Sequence, residues 1–410
     1  EFAFGVTGRF CIAERIDHAW HGFGGGYLGG EYNTFTHCRF NHNGNSGMGG
    51  TGRGHRLLFT ETSYNNYRNW GSGWHAGGVK FIPGCHDWIV RGHVSSYNNA
   101  DGIWFDEWMS GITIEECFSF RNRGSGIHYE IGSRGIIKNN VIYENGMRGI
   151  YLSSGAYCLV ANNVLYRNGM SGICSILGTR KDHSIYTRGK RDVIPGGNNV
   201  VIGNILVDNC SIPYLLNELK NWELPDYIKD YYTNFLTEWV AWTNRPELIM
   251  PETPDGPDGS WSDYNIFYRT GGRGDPEKLP FGRNWDVGFA AGLKDWREKT
   301  GWDEHSIFAQ PKFVNEAQRD FRPADDSPAL WFVKKVDMGV RYGMEGRQRP
   351  GYHIPVTAGP YGGREDQFAQ AQQSAETQGT FLFPLPAVGA ANVYRFAMAP
   401  SVMLDSLEQV

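Results

Sequence analysis

Two short segments of this 410-residue chain carry a carboxylate at the same position of a similar sequence. In GIWFDE and GIHYEI, Asp106 and Glu130 each follow the glycine by four residues. The same frame recurs downstream as GIYLSS and GICSIL, where Ser153 and Ile176 replace the acid. Two neighbouring carboxylates cannot both ionise freely, so one becomes an acid beside a base or nucleophile. Glycoside hydrolysis needs such a pair, and the sequence predicts it at Asp106 and Glu130.

The two segments belong to an internal repeat of about 23 residues. Its glycine recurs at positions 22, 47, 78, 102, 126, 149 and 172. An asparagine stands four residues earlier at positions 43, 98, 122, 145 and 168, and Asn65 fits the same place if the insertion after it is set aside. A unit of this size cannot bury its apolar face alone, so successive units are expected to stack and their turn asparagines to form a ladder.

Alternation along the strand after each glycine divides the side chains between two faces. The first and third residues, such as Ile103 and Phe105, are predicted to face the interior. The second and fourth residues are predicted to face outward, which places on one strip Lys80, Trp104, Asp106, His128, Glu130 and Tyr151. Because neighbouring strands lie about 4.8 Å apart, Asp106 and Glu130 are expected to be close together.

Aromatic and basic side chains around the acids are predicted to bind the sugar. The predicted substrate-binding residues are Trp74, Trp104, Trp108, Tyr151, Lys80, Arg148 and Asp101. The tryptophans and the tyrosine offer flat apolar faces for sugar rings, whereas Asp101 also has a simpler role as the cap of a turn. His128 is predicted to join the catalytic group, where it orients an acid or contacts a hydroxyl. The alternative is an ordinary outer sheet, with both acids solvated or salt-bridged to Lys80, Arg134 or Arg148.

The repeat resembles the coils of right-handed parallel β-helix proteins of the pectin-lyase-like superfamily. The resemblance covers residues 9–177 and rests on the spaced glycines, the asparagines and the short strands between them. It implies an all-β solenoid that acts on carbohydrate, with a polysaccharide or oligosaccharide as its partner. The function expected first is a glycoside hydrolase that uses Asp106, Glu130 and His128.

Two other functions fit the same fold. A polysaccharide lyase or uronate epimerase would use Lys80 or His128 to remove a proton beside a carboxylate, with Arg134 or Arg148 as a clamp on that carboxylate. The excess of acid on the strip argues against this alternative, because it would repel a uronate polymer. The third possibility is a non-catalytic glycan-binding β-helix. A lyase is distinguished from a hydrolase by its unsaturated product, which absorbs ultraviolet light.

Composition and charge limit the possible partners. The formal net charge is −5 and no run of Lys or Arg occurs, which argues against nucleic acid or a membrane surface. Seven cysteines stand singly without zinc spacing, and Cys38 and Cys117 are predicted to be interior thiols. No cofactor is expected to be required, although Asp106 and Glu107 together could hold calcium. The opening Glu-Phe indicates that the natural start lies upstream, and the resemblance implies a secreted or periplasmic location.

The chain is predicted to form a β-helix domain, residues 1–345, and a C-terminal extension, residues 346–410, that packs on the helix or on a neighbouring subunit. Insertions are predicted at residues 67–77, 179–197 and 211–261. Residues 226–242 have the pattern of an amphipathic helix, and residues 290–301 that of a helix ended by its glycine. Residues 313–330 resemble the closing coil of bacterial β-helix proteins.

Overall fold

The computed structural model describes residues 2–176, 197–241, 247–250, 252–253, 256–257, 260–270, 281–283, 287–290, 292–330, 334–337, 353–356 and 393–395. Almost all of the predicted insertion 179–197 and most of the predicted extension 346–410 lie outside these residues. Within them the chain winds through three long sheets, with one strand in each sheet per coil.

Each sheet stacks equivalent strands of successive coils. The first sheet contains β1 (Phe2–Val6), β4 (Gly24–Leu28), β7 (Ser46–Arg53), β10 (Gly77–His86), β13 (Asp101–Phe105), β14 (Met109–Ser110), β17 (Ile127–Ser133), β20 (Ile150–Ala156), β23 (Ile173–Ile176), β26 (Leu248–Met250), β31 (Phe281–Arg283) and β32 (Val287–Ala290). The second contains β2 (Ile12–Glu14), β5 (Thr34–Thr36), β8 (Arg56–Leu58), β11 (Ile89–Arg91), β15 (Thr113–Glu115), β18 (Ile136–Lys138), β21 (Leu159–Ala161), β24 (Val200–Ile202), β29 (Trp261–Asp263) and β38 (Val393–Arg395). The third contains β3 (Asp17–Ala19), β6 (Arg39–Asn41), β9 (Glu61–Ser63), β12 (Val94–Ser96), β16 (Phe118–Phe120), β19 (Val141–Tyr143), β22 (Val164–Tyr166), β25 (Ile205–Val207), β30 (Ile266–Tyr268) and β33 (Ile307–Phe308). This is the predicted all-β, right-handed parallel β-helix.

The register of the first sheet confirms the predicted alternation. Lys80 pairs with Trp104, Trp104 with His128, and His128 with Tyr151, so these residues occupy one column on the outer face. The inward residues on either side of this column are fully buried. The glycine assigned to position 22 was wrong: the pairing of Gly24 with Ser46 places Gly25 opposite Gly47. The three consecutive glycines at 24–26 had hidden this register.

The predicted asparagine ladder is present and explains the recurring glycine. Asparagine side chains donate Nδ2–H to Oδ1 of the next coil at 2.8–3.0 Å from positions 43, 65, 98, 122, 145 and 168, and Asn209 accepts the last of these bonds. A Cβ atom on Gly102 would lie 2.4 Å from Ser119 Oγ and 2.7 Å from Asn122 Nδ2. Glycine is therefore required where the strand passes over the ladder. A second ladder, which was not predicted, joins Asn140, Asn163, Asn204 and Asn265.

The interior is a continuous apolar core that runs along the solenoid. Phe81 and Phe105 stack on consecutive coils with ring centroids 4.9 Å apart, and each such buried side chain contributes roughly 1.5–3 kcal/mol. Cys38 and Cys117 are buried, as predicted. Burial raises the pKa of the Cys38 thiol to about 12, which favours the inert, protonated form.

The insertions pack on the flank of the third sheet. They include α1 (Ile212–Glu218), α2 (Asp226–Glu238) and the 3₁₀ turn Leu219–Asn221. Helix α2, which was predicted, is held because Tyr232 donates its hydroxyl to the carbonyl of Asn98 at 2.6 Å. The other predicted helix is α3 (Leu293–Thr300), which ends at Gly301 in the left-handed region with φ 68°.

The predicted closing coil is instead an antiparallel hairpin of β34 (Phe313–Asn315) and β35 (Asp320–Pro323). Its Phe321 packs on Tyr166 of the third sheet with centroids 4.7 Å apart, so the hairpin covers a flank. The remaining elements are β27 (Glu252–Thr253), β28 (Gly256–Pro257), β36 (Lys334–Asp337), β37 (His353–Val356) and the 3₁₀ turns Glu316–Gln318 and Pro328–Leu330. No helix in the described ranges is long and apolar enough to cross a membrane.

Candidate functional site

Four side chains of the predicted strip contact one another across successive coils, and Arg148 adds a fifth at one end; we call these five the stacked column: Lys80, Trp104, His128, Tyr151 and Arg148. Lys80 Nζ lies 3.3 Å from the centroid of the Trp104 ring. The His128 ring stacks on Trp104 at 4.8 Å and on Tyr151 at 4.6 Å. The guanidinium carbon of Arg148 lies 4.2 Å from the centroid of the Tyr151 ring. Parallel strand pairing brings Lys80, Trp104, His128 and Tyr151 together, because it sets equivalent residues side by side, whereas Arg148 lies three residues before Tyr151 in the same coil.

Stacking changes what the aromatic rings are able to do. Both faces of Trp104 are occupied by its neighbours, and this residue is only 2% exposed. Tyr151 lies between His128 and Arg148 in the same way. The prediction that these two rings present flat faces to a sugar is therefore not supported by their packing. Trp74, from the insertion 67–77, is 73% exposed and stacks on His75, so it retains an open ring face.

Lys80 makes three contacts through its Nζ. This atom lies 3.0 Å from Asp106 Oδ2 and donates to the backbone carbonyl of Trp74. The face of Trp104 adds a cation–π contact. Because these contacts hold Nζ in one place, Lys80 is positioned to act as a fixed cation.

The two predicted carboxylates have different partners, and the ladder pairing between their coils is interrupted at Asp106. Strand β13 ends at Phe105, and ladder pairing between these coils resumes only at Met109 with Gly132, which leaves one extra residue around Asp106. Glu107 and Trp108 take positive φ values of 50° and 58° in this bulge. Asp106 is thus outside the ladder that holds Glu130, and its partner is a lysine.

Glu130 has partners within the stacked column. Trp104 donates its indole N–H to Glu130 Oε2 at 3.1 Å, and His128 Nε2 lies 3.6 Å from the same oxygen. Asp106, by contrast, keeps Oδ1 buried and without a hydrogen bond. The two acids therefore sit in different surroundings, one beside an ammonium group and one beside an indole and an imidazole.

Asp101 and His128 form the most directed contact at the site. His128 Nδ1 lies 2.8 Å from Asp101 Oδ2, while Asp101 Oδ1 accepts the backbone N–H of Ser125 at 2.5 Å. The second bond is the capping role that the sequence predicted, and the first was missed. A Cβ atom on Gly124 would lie 2.0 Å from Asp101 Oδ1, so glycine is needed for this approach. Asp101 fixes the His128 ring with Nδ1–H toward the carboxylate, and Nε2 has no hydrogen-bond partner.

The remaining predicted residues divide between the column and its surroundings. Arg148 belongs to the column, whereas Arg134 donates Nε–H to Ser110 Oγ at 2.9 Å, on the turn beyond it. Burial raises the pKa of Tyr151, and the charge of Arg148 opposes that rise. Trp108 is half-buried in the bulge after Asp106. Among the described residues no group of three or more His, Cys, Asp or Glu side chains could hold a metal, and calcium at Asp106 and Glu107 stays a prediction.

Comparison with known proteins agrees with the fold. Residues 58–217 match the family model described as a right-handed β-helix region. Pectate lyase L of Dickeya chrysanthemi is 28% identical over 138 residues, which span 31% of this chain and 30% of that protein. Pectate lyase L of Dickeya dadantii is 27% identical over 139 residues, with the same shares. The crystal structure of pectate lyase Pel9A is 21% identical with a TM-score of 0.38, covering 50% of this chain and 52% of that one. The chain thus matches about a third of the length of the curated relatives.

Proposed function

We propose that this protein is a polysaccharide lyase or uronate epimerase in which His128 removes the proton next to a sugar carboxylate. The observation that carries the proposal is the 2.8 Å contact of His128 Nδ1 with Asp101, which leaves Nε2 without a hydrogen bond. An imidazole held in this tautomer has its lone pair on Nε2, which is the arrangement of a general base. The partial similarity to pectate lyase L supports the class of reaction and an anionic polysaccharide as substrate.

The chemistry follows from the pairing of groups. His128 Nε2 accepts the proton at C5, and the electron pair of the C–H bond moves toward the adjacent carboxylate. In a lyase the bond from C4 to the glycosidic oxygen then breaks, which forms a C4–C5 double bond while the departing oxygen gains a proton. In an epimerase a proton returns to C5 from the opposite face. Asp101, and Glu130 at 3.6 Å, stabilise the imidazolium that forms.

Lys80 and Arg148 provide the positive charge that such a step needs. The extra charge on the carboxylate in the transition state is favoured by fixed cations in a site with little water. The excess of acid that argued against a lyase is offset, because Asp106 is paired with Lys80 and Asp101 with His128. His128 is only 7% exposed, so the chain is expected to enter beside Trp74, at the open margin of the column.

Hydrolysis by Asp106 and Glu130 is the less favoured function. It requires two carboxylates that share one task, whereas these two residues have different partners and Asp106 lies outside the ladder. A location outside the cytoplasm is part of the proposal, since polymeric substrates of this kind are found there.

The test is incubation of the protein with polygalacturonate, alginate and neutral glucans, with two readouts. Ultraviolet absorbance reports the unsaturated product of a lyase, and proton NMR with deuterated water reports exchange at C5 by an epimerase. Reducing ends without absorbance or exchange, lost in Asp106→Asn and Glu130→Gln but retained in His128→Ala, would establish hydrolysis instead.

A further inference from the structure

Arg123 is a buried cation without a counter-ion. It lies on the turn before β17 and is 8% exposed. Its Nη1 donates to Asn69 of the insertion 67–77 at 3.3 Å, and its guanidinium carbon lies 5.4 Å from the centroid of the Phe235 ring on α2. Its Nε is buried without a hydrogen bond, and no carboxylate of the described chain lies within 4.0 Å of it.

Such an arrangement is costly unless something completes it. Removing a charge from water without a partner destabilises a fold, and arginine does not relieve this by losing its proton. Burial lowers the pKa of Arg123, and Asp101 is the carboxylate whose charge opposes this. Both oxygens of Asp101 are already committed, to Ser125 and to His128. Arg121, two residues earlier, shows the usual solution, because its Nε is paired with Glu144 at 2.8 Å.

We propose that Arg123 binds the carboxylate of a uronate unit in the bound chain and so selects for an anionic polysaccharide. The proposal rests on the proposed function and names the charge that its substrate must carry. Because Nη1 is occupied by Asn69 and Nε is closed to water, Nη2 is the nitrogen that remains for a carboxylate oxygen, in a charge-assisted hydrogen bond. Arg123 lies two residues before Ser125, whose N–H caps Asp101, so the bound carboxylate would lie at the Asp101 edge of the site.

The test compares binding of polygalacturonate and of its methyl-esterified form, which has the same backbone without the charge. Wild-type protein is expected to bind the charged polymer at least about tenfold more tightly, and Arg123→Met is expected to lose this preference. Arg123→Lys should restore part of it. The melting temperature without ligand should stay the same or rise in Arg123→Met, because an uncompensated charge is removed. The matched control is Arg121→Met, which should lower the melting temperature and keep the preference.

The binding assay tests the role of Arg123, and the turnover assay tests the proposed activity, so either proposal can be contradicted without the other. A folded Arg123→Met that still prefers the charged polymer overturns the role of Arg123, whatever the activity. A further outcome is that Arg123→Met loses the preference while wild-type protein turns over no uronate polymer. That result would support the carboxylate site at Arg123 and would contradict the proposed lyase or epimerase activity. Binding of a sulfated galactan but of no polyuronate would overturn the assignment to a carboxylate.

Discussion

Two clusters of buried charge lie on neighbouring coils and differ in how completely they are paired. The stacked column contains Lys80 and His128 on the outer face of the first sheet. The other cluster, the Glu144 network, consists of Glu144, Arg121, Arg319 and Tyr214 on the flank of the third sheet. Both are almost closed to water, and the Glu144 side chain is 0% exposed.

The Glu144 network satisfies its central charge from two sides. Oε2 accepts from Arg121 Nε at 2.8 Å, and Oε1 accepts from the Tyr214 hydroxyl at 3.1 Å and from Arg319. Arg319 leaves Nε without a partner, but Glu144 matches its charge. These contacts join β19 to α1 and to the turn before β35, so they hold distant segments on the solenoid. The column instead leaves His128 Nε2 and Asp106 Oδ1 without a hydrogen bond, although Glu130 Oε2 lies 3.6 Å from Nε2. Removing one partner of a matched buried pair is costly, whereas an incompletely matched charge beside a perturbed neighbour marks a candidate place for a substrate.

The largest effect is expected from changes in the column. Asp101→Asn should lower kcat on a uronate polymer by about a hundredfold to ten-thousandfold, because an amide donates where the imidazole needs an acceptor. His128→Ala should lose at least as much. Steady-state ultraviolet assays measure both, and the thermal melt of Asp101→Asn should show little change, whereas His128→Ala also opens a cavity between Trp104 and Tyr151. Full activity in Asp101→Asn would contradict the assignment of His128 as the base.

In the Glu144 network, a substitution is expected to lower stability and to leave activity unchanged. Glu144→Gln should lower the free energy of unfolding by about 3–5 kcal/mol, because it leaves two buried arginines without their counter-ion. Urea unfolding provides the measurement, and activity per folded molecule should be unchanged. A loss below about 1 kcal/mol would mean that the network is as incompletely matched as the column.

Contacts within the repeat could be predicted from the sequence, and contacts across it could not. The column of Lys80, Trp104 and His128 follows from counting residues after each glycine, because parallel strands set equivalent positions side by side. The bulge after Phe105 breaks that count, so the ladder pairing does not extend to Asp106. The bond from Arg319 to Glu144 spans 175 residues, so no local pattern reports it.

The missed pair of Asp101 and His128 shows an intermediate case. The two residues are 27 apart, which is one coil plus three positions, and the side chain of Asp101 reaches across the turn to its neighbour. The sequence indicated a cap at Asp101, which is half of its role. Position along a strand predicts which face a side chain occupies. The contact of Asp101 with His128 also depends on how the turn between the strands folds.

Glu61 sharpens the comparison, because it is a buried acid of the third sheet that lacks a strong partner. Burial raises its pKa to about 7, and Asn41 donates to Oε1 at 3.0 Å while Oε2 has no hydrogen bond. A raised folded-state pKa means that the folded protein binds the proton more tightly than the unfolded chain. The contribution of Glu61 to stability is therefore fully present below about pH 4.5 and is lost as the pH rises through about 7, by up to about 3 kcal/mol.

Glu61→Gln should remove this pH dependence and raise the free energy of unfolding at pH 7.5. Urea unfolding at pH 5 and at pH 7.5 provides the measurement, with Glu144→Gln as the matched control. Glu144 should add no pH dependence between these two values, since Arg121 and Arg319 lower its pKa against the effect of burial and its contribution is lost only in more acidic solution. Equal pH dependence in wild-type protein and in Glu61→Gln would show that Glu61 is ionised at neutral pH.

The smallest expected effect is a change in KM at Trp74, and Trp104 provides the contrast. Trp74→Ala should raise KM on a uronate polymer by about three- to tenfold, about 1 kcal/mol, through loss of its open ring face. The melting temperature should not change, because Trp74 is 73% exposed and its backbone carbonyl still accepts from Lys80. Trp104→Ala should instead destabilise the protein, since it opens a cavity between Lys80 and His128. If Trp74→Ala left KM unchanged while lowering the melting temperature, the insertion would support the column and would not bind the chain.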